Sequence, residues 1–221
     1  MFAHAIHNLS KRNTGPFVAI NCSAIPENLI ESELFGYEGG SFTGARKEGK
    51  PGLFLLAHSG TIFLDEINSI SKKMQSSLLR VLQEREVRPV GSQKVIPIDV
   101  RIIAATNSNL PCLVKQEKFR DDLYYRLNVL NLHVPPLRER KEDVSELLIH
   151  FLKLTGSRKD FKISQEAIDI LTEYTWPGNI RELINVAERL AVALDENHEI
   201  HIDHILAALP ELTEDLENIK V

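Results

Sequence analysis

The sequence predicts an α/β domain built on a parallel sheet, followed by a smaller helical domain. Three observations carry this. Short contiguous apolar runs alternate with helix-period segments through the first two-thirds of the chain, the pattern of parallel strands buried on both faces. After Pro135-Pro136 only helical stripes remain, as in a helical bundle. The chain has 221 residues, enough for one large and one small domain.

The elements follow in order. Phe17-Val18-Ala19-Ile20 comes after Gly15-Pro16 and reads as a first buried strand. Pro26 suits a helix start, Leu29, Ile30, Leu34 and Phe35 give the helix an apolar face, and Gly36 stops it. Thr61 to Leu64 is a second strand. Ser71 is placed to cap a helix with Met74, Leu78, Val81 and Leu82 inward. Val87 to Ile98 reads as a hairpin turning at Gly91-Ser92. Val100 to Ala105 is a third strand, and Leu127 to Val134 a fourth.

Beyond the prolines, Val144, Leu147, Leu148 and Phe151 form one stripe. Ser164 precedes a helix with Ile168, Leu171 and Tyr174 inward. Asn179-x-x-Glu182 fits a capping box, with Ile180, Leu183, Ile184, Ala187, Leu190, Ala191 and Leu194 on one face of the helix behind it. These readings give an α/β unit over 1–136, a helical lid over 137–209 and a polar linker over 210–221.

Composition narrows the function. Hydrophobic residues are 43% and charged residues 26% of the chain, ordinary for a globular domain. The net charge is −5 with no Lys/Arg block, which argues against a large nucleic-acid footprint on this chain itself, and no DNA-binding domain is expected in it. Cys22 and Cys112 are far apart and read as reduced thiols, the state of a cytoplasmic protein. The start, Met1 to Asn13, lacks the apolar core of a signal peptide. No apolar run reaches membrane-spanning length.

Two motifs carry chemistry. Thr61-Ile62-Phe63-Leu64-Asp65-Glu66 is an apolar strand ending in two carboxylates. In parallel sheets, ligands sit beyond the carboxyl ends of the strands, where both groups would face a crevice. Gly40-Ser41-Phe42-Thr43-Gly44-Ala45 is a small-residue loop around one aromatic. Thr106-Asn107, Phe119-Arg120-x-Asp122-Leu123-x-x-Arg126, Pro135-Pro136-Leu137-Arg138-Glu139-Arg140 and Trp176-Pro177-Gly178-Asn179-Ile180-Arg181-Glu182-Leu183 follow in order. Together these strings resemble the AAA+ ATPase core of bacterial sigma-54-dependent transcription activators of the NtrC type. Their usual loop reads GAFTGA, and here Ser41 replaces the common alanine. The resemblance runs from Phe2 to about Leu209.

The resemblance implies a nucleotide-driven ring, of six or seven subunits in the family, that remodels sigma-54 RNA polymerase with ATP and Mg2+. It gives Asp65 the magnesium and Glu66 the attacking water. It gives Asn21 a hydrogen bond that restrains Glu66. Thr106 and Asn107 become the first nucleotide sensor and Arg181 the second. Arg120 and Arg126 become fingers toward a neighbouring subunit's nucleotide, a task suited to a permanently charged, forked guanidinium. Gly40, Ser41, Phe42, Thr43, Gly44 and Ala45 become the sigma-54 contact. The plainer alternatives are a strand ending in a polar turn, an amide bonded to local backbone, and arginines on a solvated helix end.

One departure matters. No G-x-x-x-x-G-K-[ST] phosphate loop occurs in these residues, and the family's central first strand goes with it. Impaired nucleotide binding is therefore expected. So is a sheet that gaps, closes up or accepts another chain. A degenerate interaction subunit or an inert remnant is the alternative function. His198, His201, Asp203 and His204 are spread over more than one helix face. They read as a polar loop leading into a helix from Ile205 to Leu209, not as a metal site.

Overall fold

The computed structural model describes residues 1–41, 46–155, 161–193 and 199–212. The chain divides into two compact units, Met1–Asn131 and Leu132–Val221. In the first unit, helix α1 (Phe2–Asn8) precedes strand β1 (Phe17–Asn21) and helix α2 (Glu27–Phe35). Strands β2 (Gly36–Tyr37) and β3 (Lys50–Pro51) enclose the glycine-bearing loop, and helix α3 (Leu53–Leu56) leads to strand β4 (Thr61–Asp65). Helix α4 (Lys72–Glu84) is followed by a hairpin of β5 (Glu86–Val87) and β6 (Ile96–Pro97), then β7 (Arg101–Ala104), α5 (Leu110–Lys115) and α6 (Asp121–Leu127).

Three strands form a parallel sheet in the order β1-β4-β7. Phe17 pairs with Thr61 and Asn21 with Asp65 on one side of β4, while Thr61 pairs with Arg101 and Leu64 with Ala104 on the other. The central strand carries the most buried side chains, with Ile62 and Leu64 both fully enclosed. Around it pack Leu34, Phe35 and Phe54, whose rings stack at 5.8 Å between centroids for the Phe pair, together with Leu78 and Leu123. Helix α2 starts after Pro26 and stops at Gly36, whose φ of +80° suits glycine. Ser71 does stand at the N-cap of α4, but its side chain makes no capping bond.

The sheet is one strand short of the sequence expectation. Leu127 closes α6, and 128–134 joins no ladder. Its apolar residues have the spacing of a strand, but a strand needs a neighbouring edge to hold it. Here Val129, Leu130, Leu132 and Val134 stand exposed instead. Helix α1 gave no clear sequence signal. It is anchored by buried His7, whose Nδ1 lies 3.0 Å from the Thr61 hydroxyl at the head of β4.

The second unit holds α7 (Asp143–Leu154), β8 (Lys162–Ile163), α8 (Gln165–Glu173), α9 (Asn179–Ala193), β9 (Glu199–Ile200) and α10 (Ile202–Ala208). Strands β8 and β9 pair in parallel. Val144, Leu148 and Leu152 of α7 meet Leu171, Trp176, Leu183, Val186, Ala187 and Leu190 in its core, which continues through Leu209 and Leu212. Trp176 is fully buried and donates its indole N–H to the Leu171 carbonyl at 2.8 Å. The expected capping box between Asn179 and Glu182 does not form, because the Asn179 N–H goes to the Trp176 carbonyl. Glu182 reaches back to the Gly178 N–H at 2.8 Å, while the Asn179 side chain instead accepts from the Leu137 N–H at 2.8 Å. The last helix begins at Ile202, earlier than the sequence suggested, and His201 and His204 form a capping box there.

Gln75 joins α4 to the segment entering α6. It is fully buried, donates to the Ile70 and Lys118 carbonyls at 3.0 and 3.1 Å, and accepts from the Arg120 N–H at 2.8 Å. Replacing it with leucine leaves three backbone groups without partners. Urea denaturation of Gln75→Leu is expected to show a loss of about 1–3 kcal/mol. An unchanged midpoint would show that these bonds do not hold the segment.

Candidate functional site

The carboxyl ends of the three parallel strands gather the acidic and amide residues that the sequence singled out. Asn21 closes β1 and shares a rung with Asp65. Asp65 is half-buried, and its Oδ1 accepts the Glu66 N–H at 3.0 Å. Glu66 then turns the chain out of the sheet with φ +52° and ψ +47°, a left-handed conformation unusual for a non-glycine residue. The turn is closed by Ser69, which donates both its N–H and its hydroxyl to the Glu66 carbonyl at 3.0 and 2.8 Å. The Ile67 N–H donates to the Ala105 carbonyl at 3.0 Å, so the turn after β4 lies beside the end of β7.

That contact delivers Thr106 to the same place. Its hydroxyl donates to Asn68 Oδ1 at 2.7 Å and accepts the Ser108 N–H at 3.0 Å. Asn107 accepts from the Ser108 hydroxyl at 3.1 Å. Both are exposed. Asn68, which the sequence reading passed over, thus ties the turn after the carboxylates to the Thr106 loop. Asn21 does not bond to Glu66 here. Its Oδ1 accepts the Ser23 N–H and hydroxyl at 2.9 and 2.8 Å, the local amide arrangement.

Neither Asp65 nor Glu66 has a cationic partner among the described residues. Two carboxylates with free oxygens suit a hard cation such as Mg2+, which takes oxygen ligands and retains water. No group of three or more His, Cys, Asp or Glu side chains forms a metal cluster among the described residues.

Arg120 and Arg126 lie on one side of α4. Arg120 grips Asp122 with a forked pair of bonds, Nε at 2.9 Å and Nη2 at 2.7 Å, and its Nη1 reaches the Ser76 hydroxyl at 3.1 Å. That bond from Arg120 holds the Asp122 carboxyl below the usual carboxylate range. Arg126 donates to the Leu82 carbonyl at 3.0 Å. Arg181 lies in the second unit, in the first turn of α9, exposed and free of bonds among the described residues.

The chain on either side of the Gly40 to Ala45 segment is braced. Gly36 and Tyr37 pair with Pro51 and Lys50, and Lys50 binds the Glu33 carboxylate of α2 at 2.6 Å. Val90 of the second hairpin bonds on both sides, its N–H to the Gly36 carbonyl at 2.8 Å and its carbonyl to the Glu38 N–H at 3.1 Å. Gly91 has φ +79°, and a Cβ there would collide with Ser41. The two hairpins therefore interlock where only glycine fits. Gly40 has open space around it. Phe42, Thr43, Gly44 and Ala45 lie outside the described residues.

Cys22, just past β1, is buried near the carboxylates. Burial first, then the charges of Asp65 and Glu66, raise its thiol from the ordinary 9.0 to about 11. Only the thiolate is nucleophilic, so native protein at mildly alkaline pH is expected to be alkylated at exposed Cys112 and spared at Cys22. Unfolding exposes both. The folded state holds the Cys22 proton more tightly than the unfolded state. Its contribution is therefore intact below pH 9.0 and lost as pH rises toward about 11. Mass spectrometry of alkylated protein and denaturation against pH check both. Rapid native labelling of Cys22 contradicts its placement.

Comparison with known proteins fits this arrangement. A family model described as the sigma-54 interaction domain matches residues 1–133, and an AAA+ ATPase lid domain matches residues 138–219. The chain is 52% identical over 193 residues to a Nif-specific regulatory protein of Azospirillum brasilense, covering 86% of this chain and 31% of that protein. It is 51% identical over 195 residues to the regulatory protein AtoC of Escherichia coli, covering 87% and 42%. It therefore spans less than half the length of these relatives. Among solved structures, NtrX from Brucella abortus in complex with ADP superposes with a TM-score of 0.82 at 36% identity, covering 91% of this chain and 45% of that one. A Thermotoga maritima RuvB mutant reaches 0.54 at 13% identity, covering 88% and 52%, a likeness of fold alone. The chain belongs to the sigma-54 interaction domain family, an AAA+ α/β core with its helical lid.

Proposed function

We propose that this chain is the core of a transcriptional activator that couples ATP hydrolysis to remodelling of sigma-54 RNA polymerase in the cytoplasm. The observation that carries the reading is the convergence of Asn21, Asp65, Glu66 and Thr106 at the carboxyl end of one parallel sheet. Asp65 would ligate Mg2+, Glu66 would orient water, and Thr106, Asn107 and Arg181 would report the nucleotide. NtrX, at 36% identity, was crystallised with ADP and with ATP, which supports the same nucleotide here. Phosphoryl transfer asks little more of a protein than a metal clamp, an oriented water and charge on the leaving phosphate.

Arg120 and Arg126 fit the role of fingers offered to a neighbour in a ring, with exposed side chains on one flank of α4. Arg120 would first exchange Asp122 for phosphate oxygens, both of which accept a forked guanidinium. The interlocked hairpins support the loop reading. They brace the chain on both sides of the Gly40 to Ala45 segment, whose side chains would contact sigma-54.

These residues contain no G-x-x-x-x-G-K-[ST] segment to cradle phosphates, and side chains do not replace several backbone amides aimed at an anion. ATP titration of the chain by calorimetry is expected to give binding weaker than millimolar, a binding free energy less favourable than about −4 kcal/mol. Micromolar affinity would falsify the weak-binding reading and restore a self-sufficient ATPase core. Undetectable binding even with a phosphate-loop strand supplied by an intact homologue in the same ring favours the non-hydrolysing interaction subunit.

Phe42→Ala is expected to leave thermal stability nearly unchanged, well below the ~3–5 kcal/mol cost of a core phenylalanine. In a homologue with a complete phosphate loop, the matching change is expected to abolish sigma-54 engagement and spare ATP hydrolysis. A large loss of stability places Phe42 in the core.

A further inference from the structure

The loop after β7 is wound on its own side chains. The Thr106 hydroxyl accepts the Ser108 N–H at 3.0 Å, and the Ser108 hydroxyl donates to Asn107 Oδ1 at 3.1 Å. Asn109 then caps α5 by accepting the Cys112 N–H at 3.0 Å. Past Ala105, one hydrogen bond joins this loop to the turn after Glu66 among the described residues. It runs 2.7 Å from the Thr106 hydroxyl to Asn68 Oδ1. Asn68 is half-buried in the short helical turn Ile67–Ser69. The first N–H of that turn goes to the Ala105 carbonyl and its last to the Glu66 carbonyl, both at 3.0 Å. Asn68 thus stands between Glu66 on one side and Thr106 on the other.

Thr106 and Asn107 differ in the donors they have left. A hydroxyl has one proton to give. Thr106 gives it to Asn68 at 2.7 Å in preference to the Ser108 carbonyl at 3.4 Å. Phosphate oxygens are acceptors, so a side chain with no spare donor offers them nothing. The Asn107 amide has only its oxygen engaged, by Ser108, and both of its N–H donors are unpartnered among the described residues. Asn107 therefore keeps what an anion takes, and Thr106 does not.

We propose that Asn68 is a positioning residue of the nucleotide site. It clamps Thr106, so that the turn holding Glu66 and the loop presenting Asn107 move together. Thr106 is the anchor, and Asn107 alone of the pair contacts phosphate. This rests on the reading of Asp65, Glu66 and the Thr106 loop as one nucleotide site. Glu66, two residues before Asn68, stands at φ +52°, a conformation that surrounding bonds must hold. Movement of the loop on gain or loss of a phosphate therefore reaches Glu66 through the Asn68 side chain.

Hydrogen exchange of the chain, read amide by amide by NMR without metal or nucleotide, tests the clamp. Thr106→Val keeps the side chain's shape and removes the hydroxyl. It should speed exchange at Ile67 and Ser69, across the bond, by about tenfold, the scale of one hydrogen bond. Asn68→Ala should speed exchange at Ser108 by a similar factor from the other side. The double variant should match the faster single variant at each amide, because both remove the same bond. Thr106→Ser, which retains the hydroxyl, should match the parent. Asn107→Ala, which leaves the clamp intact, should leave Ile67 and Ser69 unchanged. The proposal is overturned if Thr106→Val acts only within its own loop, if Asn68→Ala leaves Ser108 protected, if the two effects add, or if Thr106→Ser fails to restore protection. Adding Mg2+ separates the clamp from the site reading. Slowed exchange at Ser69 reports metal at the carboxylates, and the clamp carries that slowing to Ser108 in the parent but not in Asn68→Ala. Slowing at Ser108 that persists in Asn68→Ala overturns the clamp. No Mg2+ effect at any amide counts against Asp65 as a metal ligand, and the variants alone then decide the clamp.

Discussion

The candidate site depends on β4 being paired in parallel on both sides. Parallel pairing brings the carboxyl ends of neighbouring strands to one edge of the sheet. With Asn21 opposite Asp65 and Leu64 opposite Ala104, the registers set which side chains emerge there. A slip of one residue would turn every side chain of a strand to the other face and send Ile62 and Leu64 out of the core. The burial of those two residues therefore fixes the position of Asp65 and Glu66. Packing far from the carboxylates decides where they stand.

Past the strand ends, short polar bonds take over from the ladder. Asp65 caps the N–H of Glu66, Ser69 closes the turn, and Asn68 holds Thr106. Glu66 sits in the left-handed region at the point where the chain leaves the sheet. Such a conformation costs on the order of 1 kcal/mol and persists when surrounding bonds over-determine it. Here those bonds come from both sides of the turn. Gln75 plays the matching part for the arginines, by fixing the backbone of Arg120 against α4 while leaving its guanidinium at the surface.

Much of this was legible in the sequence, for physical reasons that also explain the failures. Apolar runs such as Thr61 to Leu64 report burial directly, and burial is what makes a central strand. Glycines at Gly36 and Gly91 mark backbone that other residues resist. Capping and buried polar bonds were read less well. Asn179 and Glu182 have capping-box spacing, yet the Asn179 amide finds the Leu137 N–H, forty-two positions away, a better partner. His7, Asn68 and Gln75 act through partners that no local pattern reveals. Leu127 to Val134 failed for another reason. Side-chain pattern states that a segment suits a sheet, and cannot state whether an edge is there to receive it.

That last failure bears on the site. Strand β7, which delivers Thr106 and Asn107, has a neighbour on one side only among the described residues. Its hold on the sheet is the ladder to β4, the Ala105 carbonyl bonded to the Ile67 N–H, and the Asn68 side chain bonded to Thr106. Edge strands open more readily than central ones because fewer bonds must break. Any strand that fills the outer edge of β7 would add bonds at Ile102 and Ala104, only two residues before Thr106. The outer edge of β7 and the Thr106-Asn107 loop are thus parts of one strand, and ordering the first restrains the second.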